Sequence, residues 1–207
     1  MKKTIHYIGL DVHKDSITAA IAVAGGEVRH DRKIGGQLSD MDKVIKQFQK
    51  AAPEVELRFC YEAGPTGYGL HRHLSKRKFA CSVVAPSLTP RKASDQVKND
   101  RRDAQTLARL FRARELTSIH IPEPEDEAIR DLVRAHFAAV KDQGVARQRL
   151  KGFLLRLDFR YEGKTSWTPA HLNYLGRLKM PHAAQQLVFE EYKQVITLAS
   201  ERVQLPV

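Results

Sequence analysis

Tyr7-Ile8-Gly9-Leu10-Asp11-Val12-His13-Lys14 and the run after it, Ser16-Ile17-Thr18-Ala19-Ala20-Ile21-Ala22-Val23, decide how this chain folds. Two β-prone segments parted by a few polar residues predict paired strands. Gly25-Gly26 supplies the next turn, and the alternation from Val28 to Ile34 predicts a third strand, so the chain opens as a β-meander. Met41, Val44, Ile45 and Phe48 then recur at helical spacing, with Ser39 as the expected N-cap and Pro53 as the stop. Leu57 to Tyr61 reads as a short apolar strand delivering Glu62 at its end, ahead of the turn residues Gly64-Pro65-Thr66-Gly67. A helix from Tyr68 to Arg77 and a strand from Phe79 to Ala85, stopped by Pro86, complete an α/β pattern.

Beyond Pro86 a polar, basic connector carries Arg91, Lys92 and Lys98 into a helix with Ala104, Leu107, Ala108 and Phe111 on its apolar face. After Pro122 and Pro124 the period stays helical. Ile129, Leu132, Val133, Phe137 and Val140 form one stripe, and Leu150, Phe153, Leu154 and Leu157 form another. Gly163 to Pro169 reads as a loop and Leu172 to Leu178 as a short helix. Pro181 opens a last helix whose Val188, Tyr192, Val195, Ala199 and Val203 offer a stripe to a partner helix, too short to define a coiled coil by itself.

The composition excludes several classes. With 207 residues, 42% of them hydrophobic and 29% charged, the chain suits a globular protein with its own core rather than a disordered or collagen-like one. Its longest apolar runs, such as Ile17 to Ala24, fall well short of the roughly 20 residues that cross a bilayer, so no membrane partner is expected. Met1-Lys2-Lys3 leads into a strand rather than a signal-peptide core, and two cysteines without C-x-x-C spacing suggest neither a disulfide framework nor a zinc site. A cytoplasmic location is the expectation. The net charge of +11 favours a polyanionic partner, since phosphate contacts release condensed counterions.

Four carboxylates are placed where they could act together. Asp11 and Glu62 end two strands, at the sheet edge where α/β proteins place ligands, while Asp100 and Asp103 share one face of a helix, a turn apart. Taken singly, each has an ordinary explanation. Asp11-Val12-His13-Lys14-Asp15 suits a turn, Asn99 or Asp100 suits an N-cap, and Asp103 complements the positive end of the helix dipole. Brought together, four acids repel strongly unless a cation offsets them, and magnesium is the hard ion that carboxylate oxygens suit. His13 reads as a neighbour of such a site rather than a ligand, and His71 and His73 point to different faces of their helix.

The segments Tyr7-Ile8-Gly9-Leu10-Asp11-Val12-His13-Lys14, Tyr61-Glu62-Ala63-Gly64 with Gly67-Tyr68, and Lys98-Asn99-Asp100-Arg101-Arg102-Asp103-Ala104 resemble, in order and spacing, the signature blocks of the DEDD-type insertion-sequence transposases. The resemblance runs from about Tyr7 to Leu157. It implies an RNase H-like (RuvC-like) α/β domain, a mixed sheet with flanking helices over residues 1–158, followed by a helical, coiled-coil-like dimerisation region over 159–207. It also implies that Asp11, Glu62, Asp100 and Asp103 are catalytic ligands of a two-magnesium site that manganese can also fill, with Lys98 close to the bound phosphates. Members of the family excise and insert mobile elements as oligomers on DNA, guided by a structured RNA, and carry a C-terminal domain with a serine nucleophile. No block of this chain resembles that domain, and Ser166 and Ser200 match nothing in its motif, so the chain is expected to be a fragment or one part of a split enzyme. The segment Glu62-Ala63-Gly64-Pro65-Thr66-Gly67 departs slightly from the family's commoner Glu-Ala-Thr-Gly form.

Arg91, Lys92, Lys98, Arg101 and Arg102 flank the last two acids and are the expected nucleic-acid contacts, with Arg109, Arg112 and Arg114 nearby. Arg147, Arg149, Lys151, Arg156 and Arg160 form a second basic stretch that serves equally as a solvated face. Trp167 stacks on a base or covers a small apolar patch. Competing functions are a binding and assembly module without cleavage, a stand-alone structure-specific nuclease, and, more weakly, a sugar-kinase-like phosphate loop at Gly9-Leu10-Asp11. The last lacks the small residues that let a phosphate approach.

Overall fold

The computed structural model describes residues 4–90 and 99–204. It is a mixed α/β structure in two compact units, Met1–Ile121 and Pro122–Val207. No helix among the described residues is long and apolar enough to cross a membrane.

The first unit is built on β1 (Ile5–Val12), β2 (Ser16–Val23), β3 (Arg29–Gly35), β4 (Glu56–Glu62) and β5 (Ala80–Val84), in sheet order β3-β2-β1-β4-β5. The opening meander is antiparallel, whereas β4 and β5 add in parallel beside β1. Strand alternation sorts the side chains onto two faces. One face carries Ile8, Leu10, Ile17, Ala19, Ile21, Phe59, Tyr61 and Val83 against α1 (Leu38–Ala51) and α2 (Gly69–Lys76), which bury Met41, Val44, Ile45, Phe48, Leu70 and Leu74 there. Each of these large side chains contributes roughly 1.5–3 kcal/mol on burial, so this layer holds the unit together. The opposite face is lined by Ala20, Ala22 and Cys60 and receives α3 (Asp100–Ala113) through Ala104, Leu107 and Ala108. Small residues on both sides bring that helix close to the sheet.

Local details differ from the pattern reading at the starts of two helices and decide between its alternatives at a third. Helix α1 begins at Leu38, one residue ahead of Ser39, and its N-cap Gln37 makes no side-chain capping bond. Asn99 is the cap of α3, its side chain accepting from the Arg101 backbone N–H, while Asp100 lies in the first turn. Thr168 caps α5 (Pro169–Arg177), so that helix starts earlier than its apolar spacing suggests, with Pro169 in its first turn.

The second unit is helical. The two stripes after Pro124 belong to one continuous helix, α4 (Pro124–Arg156). Its C-terminal half buries Ala146, Leu150, Phe153 and Leu154 against α5 and α6 (Ala183–Gln204). Part of the apolar stripe of α6 packs within the chain: Ala199 is buried with Phe189 and Ile196, and Tyr192 and Val195 pack beside them, while Val188 stays exposed. The two helices run antiparallel, since Phe153 meets Tyr192, Gln143 meets Ser200 and Asp142 meets Arg202. Trp167 covers an intramolecular patch, edge-on to His171 and beneath the Arg147 guanidinium.

Candidate metal centre

The β1/β4 register pairs Leu10 with Tyr61, so Asp11 and Glu62 stand one step further on, at the same edge of two adjacent parallel strands. Since Leu10 and Tyr61 face the α1/α2 core, both acids share the opposite face, onto which α3 packs. Helix α3 carries Asp100 and Asp103 in its first turn.

The closest meeting is between Asp11, His13 and Asp100. His13 Nε2 lies 3.0 Å from Asp11 Oδ2 and 3.7 Å from Asp100 Oδ1. One potential ligand atom from each of the three lies within 4.8 Å of the others, a set to which neither Glu62 nor Asp103 belongs. Two carboxylate oxygens and one imidazole nitrogen converging on so small a volume form a donor set that fits a divalent cation. Asp103 is nonetheless electrostatically close: burial first, and then the charges of Asp100 and Asp103, raise the Asp11 carboxyl above its ordinary value, against the opposing pull of His13. Asp100 shifts the other way, chiefly because Lys33 Nζ on β3 donates to its Oδ2 at 2.9 Å.

His13, read from the sequence as a neighbour of the site, stands directly between Asp11 and Asp100. It follows Asp11 by two, one residue past the end of β1, and a two-residue step along extended chain returns a side chain to the same face. Lys33 had no such local signal, because only the pairing of β3 through β2 brings it level with the site. Among the expected nucleic-acid contacts, Arg101 and Arg102 are exposed on the first turn of α3. Arg91, Lys92 and Lys98 lie outside the described residues.

Comparison with known proteins places this geometry in context. A family model described as a transposase, DEDD_Tnp_IS110, matches residues 8–158. The chain is 42% identical over 192 residues to a putative transposase y4qE of Sinorhizobium fredii, a match covering 92% of this chain and 49% of that protein. It is 35% identical over 206 residues to the transposase for insertion sequence element IS1533 of Leptospira borgpetersenii, covering 98% of this chain and 59% of that protein. The chain thus spans about half to three fifths of the length of these curated relatives.

Proposed function

This chain belongs to the IS110 family of insertion-sequence transposases, and from that premise we propose that its first domain is an RNase H-like nuclease module. In this reading Asp11, Glu62, Asp100 and Asp103 hold magnesium at a DNA phosphodiester during transposition. The observation that carries it is the meeting of Asp11 and Asp100, from β1 and α3, around His13. The sheet supports it too: three antiparallel strands followed by two parallel ones, with acids at the ends of β1 and β4, is the arrangement an RNase H-like site needs.

When bound, magnesium supplies charge neutralisation and Lewis-acid polarisation of a phosphoryl oxygen. The chain's own residues do the rest. Asp11 and Asp100 offer oxygen ligands from two rigid elements, and His13 Nε2 lies within reach of both. Lys33 donates to Asp100 Oδ2 and so orients that carboxylate, which would remain a ligand for the metal. Arg101 and Arg102, together with Arg91, Lys92 and Lys98 from the connector, draw the phosphate backbone towards a centre that is itself acidic. The wider activity, strand exchange by cytoplasmic oligomers directed by a guide RNA, rests on the family resemblance.

An assembly role has its own support. Ile129, Leu132, Val133, Phe137 and Val140 remain exposed along α4, with Phe137 at 68%. Paired antiparallel with a second copy, Ile129 falls opposite Val140 and Leu132 opposite Phe137. A dimer through α4, with α6 packed inside each chain, is the form this reading gives to oligomerisation.

The decisive experiment incubates the chain with branched DNA and magnesium, beside Asp11→Asn. Magnesium-dependent cutting lost in the variant supports the nuclease reading. Nucleic-acid binding with no cutting in either protein leaves the assembly role, and cutting that survives the substitution rules out the metal site.

A further inference from the structure

We propose that the cavity beside the acids, lined by Thr18, His30, Lys33, Asn99, Asp100 and Arg101, is a subsite for one phosphate group of a nucleic-acid backbone. The inference rests on the nucleic-acid reading above and adds to it residues of β2 and β3 that none of the signature blocks contains.

The cavity, about 460 Å³, is built by strand register. Asp11 pairs with Thr18 and Thr18 pairs with Lys33, so the three stand in a row across β1, β2 and β3 on the face that receives α3. Thr18 is 1% exposed, and its Oγ1 has no hydrogen-bond partner among the described residues. A buried hydroxyl left unpaired is costly, and its neighbours on this face, Ala20 and Ala22, show that the packing demands no polar group. The hydroxyl is explained by a ligand that accepts from it.

The remaining lining says which kind. Lys33 and Arg101 are cationic and exposed enough to turn inward, and His30 carries a ring N–H. Asn99 spends its side-chain oxygen on the Arg101 backbone N–H, which leaves its NH₂ group as the donor. The start of α3 adds the positive end of a helix dipole. Asp100 is the exception, and its Oδ2 already accepts from Lys33. A cation held by Asp11 and Asp100 would compete with that bond and leave the Lys33 ammonium available to an anion. A set of donors around a cation-ready carboxylate suits a phosphate next to the reacting one.

The test compares the full chain with Thr18→Val and Lys33→Met. Each is titrated with a fluorescent single-stranded oligonucleotide over a salt series, in chelator and in magnesium, with circular dichroism confirming the fold. Inorganic phosphate is titrated in parallel by calorimetry. We expect Thr18→Val to weaken oligonucleotide binding about tenfold, the loss of one hydrogen bond to a charged acceptor. Lys33→Met, an exposed position that tolerates substitution, should lower the slope of log affinity against log salt by about 0.7. Wild-type affinity and slope in both variants overturn the subsite and leave the nucleic-acid reading standing. Phosphate binding that needs Thr18 and Lys33, in a chain that binds no oligonucleotide, retains an anion site and overturns the nucleic-acid source. Loss of oligonucleotide binding and of phosphate binding together in the variants supports the proposal.

Discussion

Gly9 of β1 and Ala104 of α3 are in such close contact that a Cβ built on Gly9 would lie 2.4 Å from the Ala104 carbonyl oxygen. The backbone nitrogen of Ala108 is equally near, so two turns of α3 rest directly on the strand. Asp11 is two residues from Gly9 on the same face, and Asp100 is one turn before Ala104. The glycine thus sets the distance across which the two acids meet His13.

Replacing Gly9 with alanine is therefore expected to cost about 3 kcal/mol, because backbone rather than a flexible side chain must give way. Urea denaturation measures the loss. Manganese affinity, followed by electron paramagnetic resonance, should fall as well, since α3 carries Asp100 outward.

Asp11 titrates above its ordinary value of 3.8, mainly through burial, so the ionised carboxylate is disfavoured in the folded chain. With the folded value raised, stability is lost as pH rises from 3.8 through that higher value, and the loss persists at neutral pH. Asp11→Asn should therefore raise the metal-free melting temperature at pH 7 and leave it unchanged below the unfolded value. Magnesium should raise the melting temperature of the wild type and have little effect on the variant, as scanning calorimetry would record.

The imidazole beside Asp11 gives the centre a nitrogen donor, which manganese accepts more readily than magnesium does. His13→Ala should lower manganese affinity about tenfold and magnesium affinity less. Equal losses for both ions would mean that His13 only holds Asp11 in position.

Phe137 is the most exposed large apolar residue of the α4 stripe. Phe137→Glu should shift a concentration-dependent dimer to monomer in sedimentation velocity, without lowering helix content. A wild type that stays monomeric at high micromolar concentration would remove α4 as the interface.

Cys60 is fully buried, and burial raises its thiol well above the ordinary range; Cys81 is pushed up to about 12. Neither should react with thiol reagents at pH 8 until denaturant is added, because the thiolate is the reactive form. Rapid labelling of the native chain would show that the sheet opens under native conditions.

Periodicity carried the reading of the first unit a long way. The β-prone composition of Tyr7–Val12 and Ser16–Val23 predicts strands, three- and four-residue spacing in Met41–Phe48 predicts a helix, and both are present. Such patterns survive because each reports only whether a position faces core or water. The same property leaves the partner open at α4 and α6. The stripe of α6 meets α4 of its own chain, whereas Ile129 to Val140, apolar at core spacing, stays exposed. A stripe shows that a face wants a partner and is silent about which partner it finds.

The order of residues determined the strands, the helices, the acids at strand ends and helix start, and the surplus of positive charge, because these follow from local spacing and composition. Only tertiary structure decided that His13 joins Asp11 and Asp100, that Lys33 reaches across from β3, and that Thr18 lies buried with its hydroxyl unpaired among the described residues. Those relations depend on strand register and on how closely α3 settles onto Gly9, and distances of a few ångströms between segments remote in the chain leave no trace in local pattern.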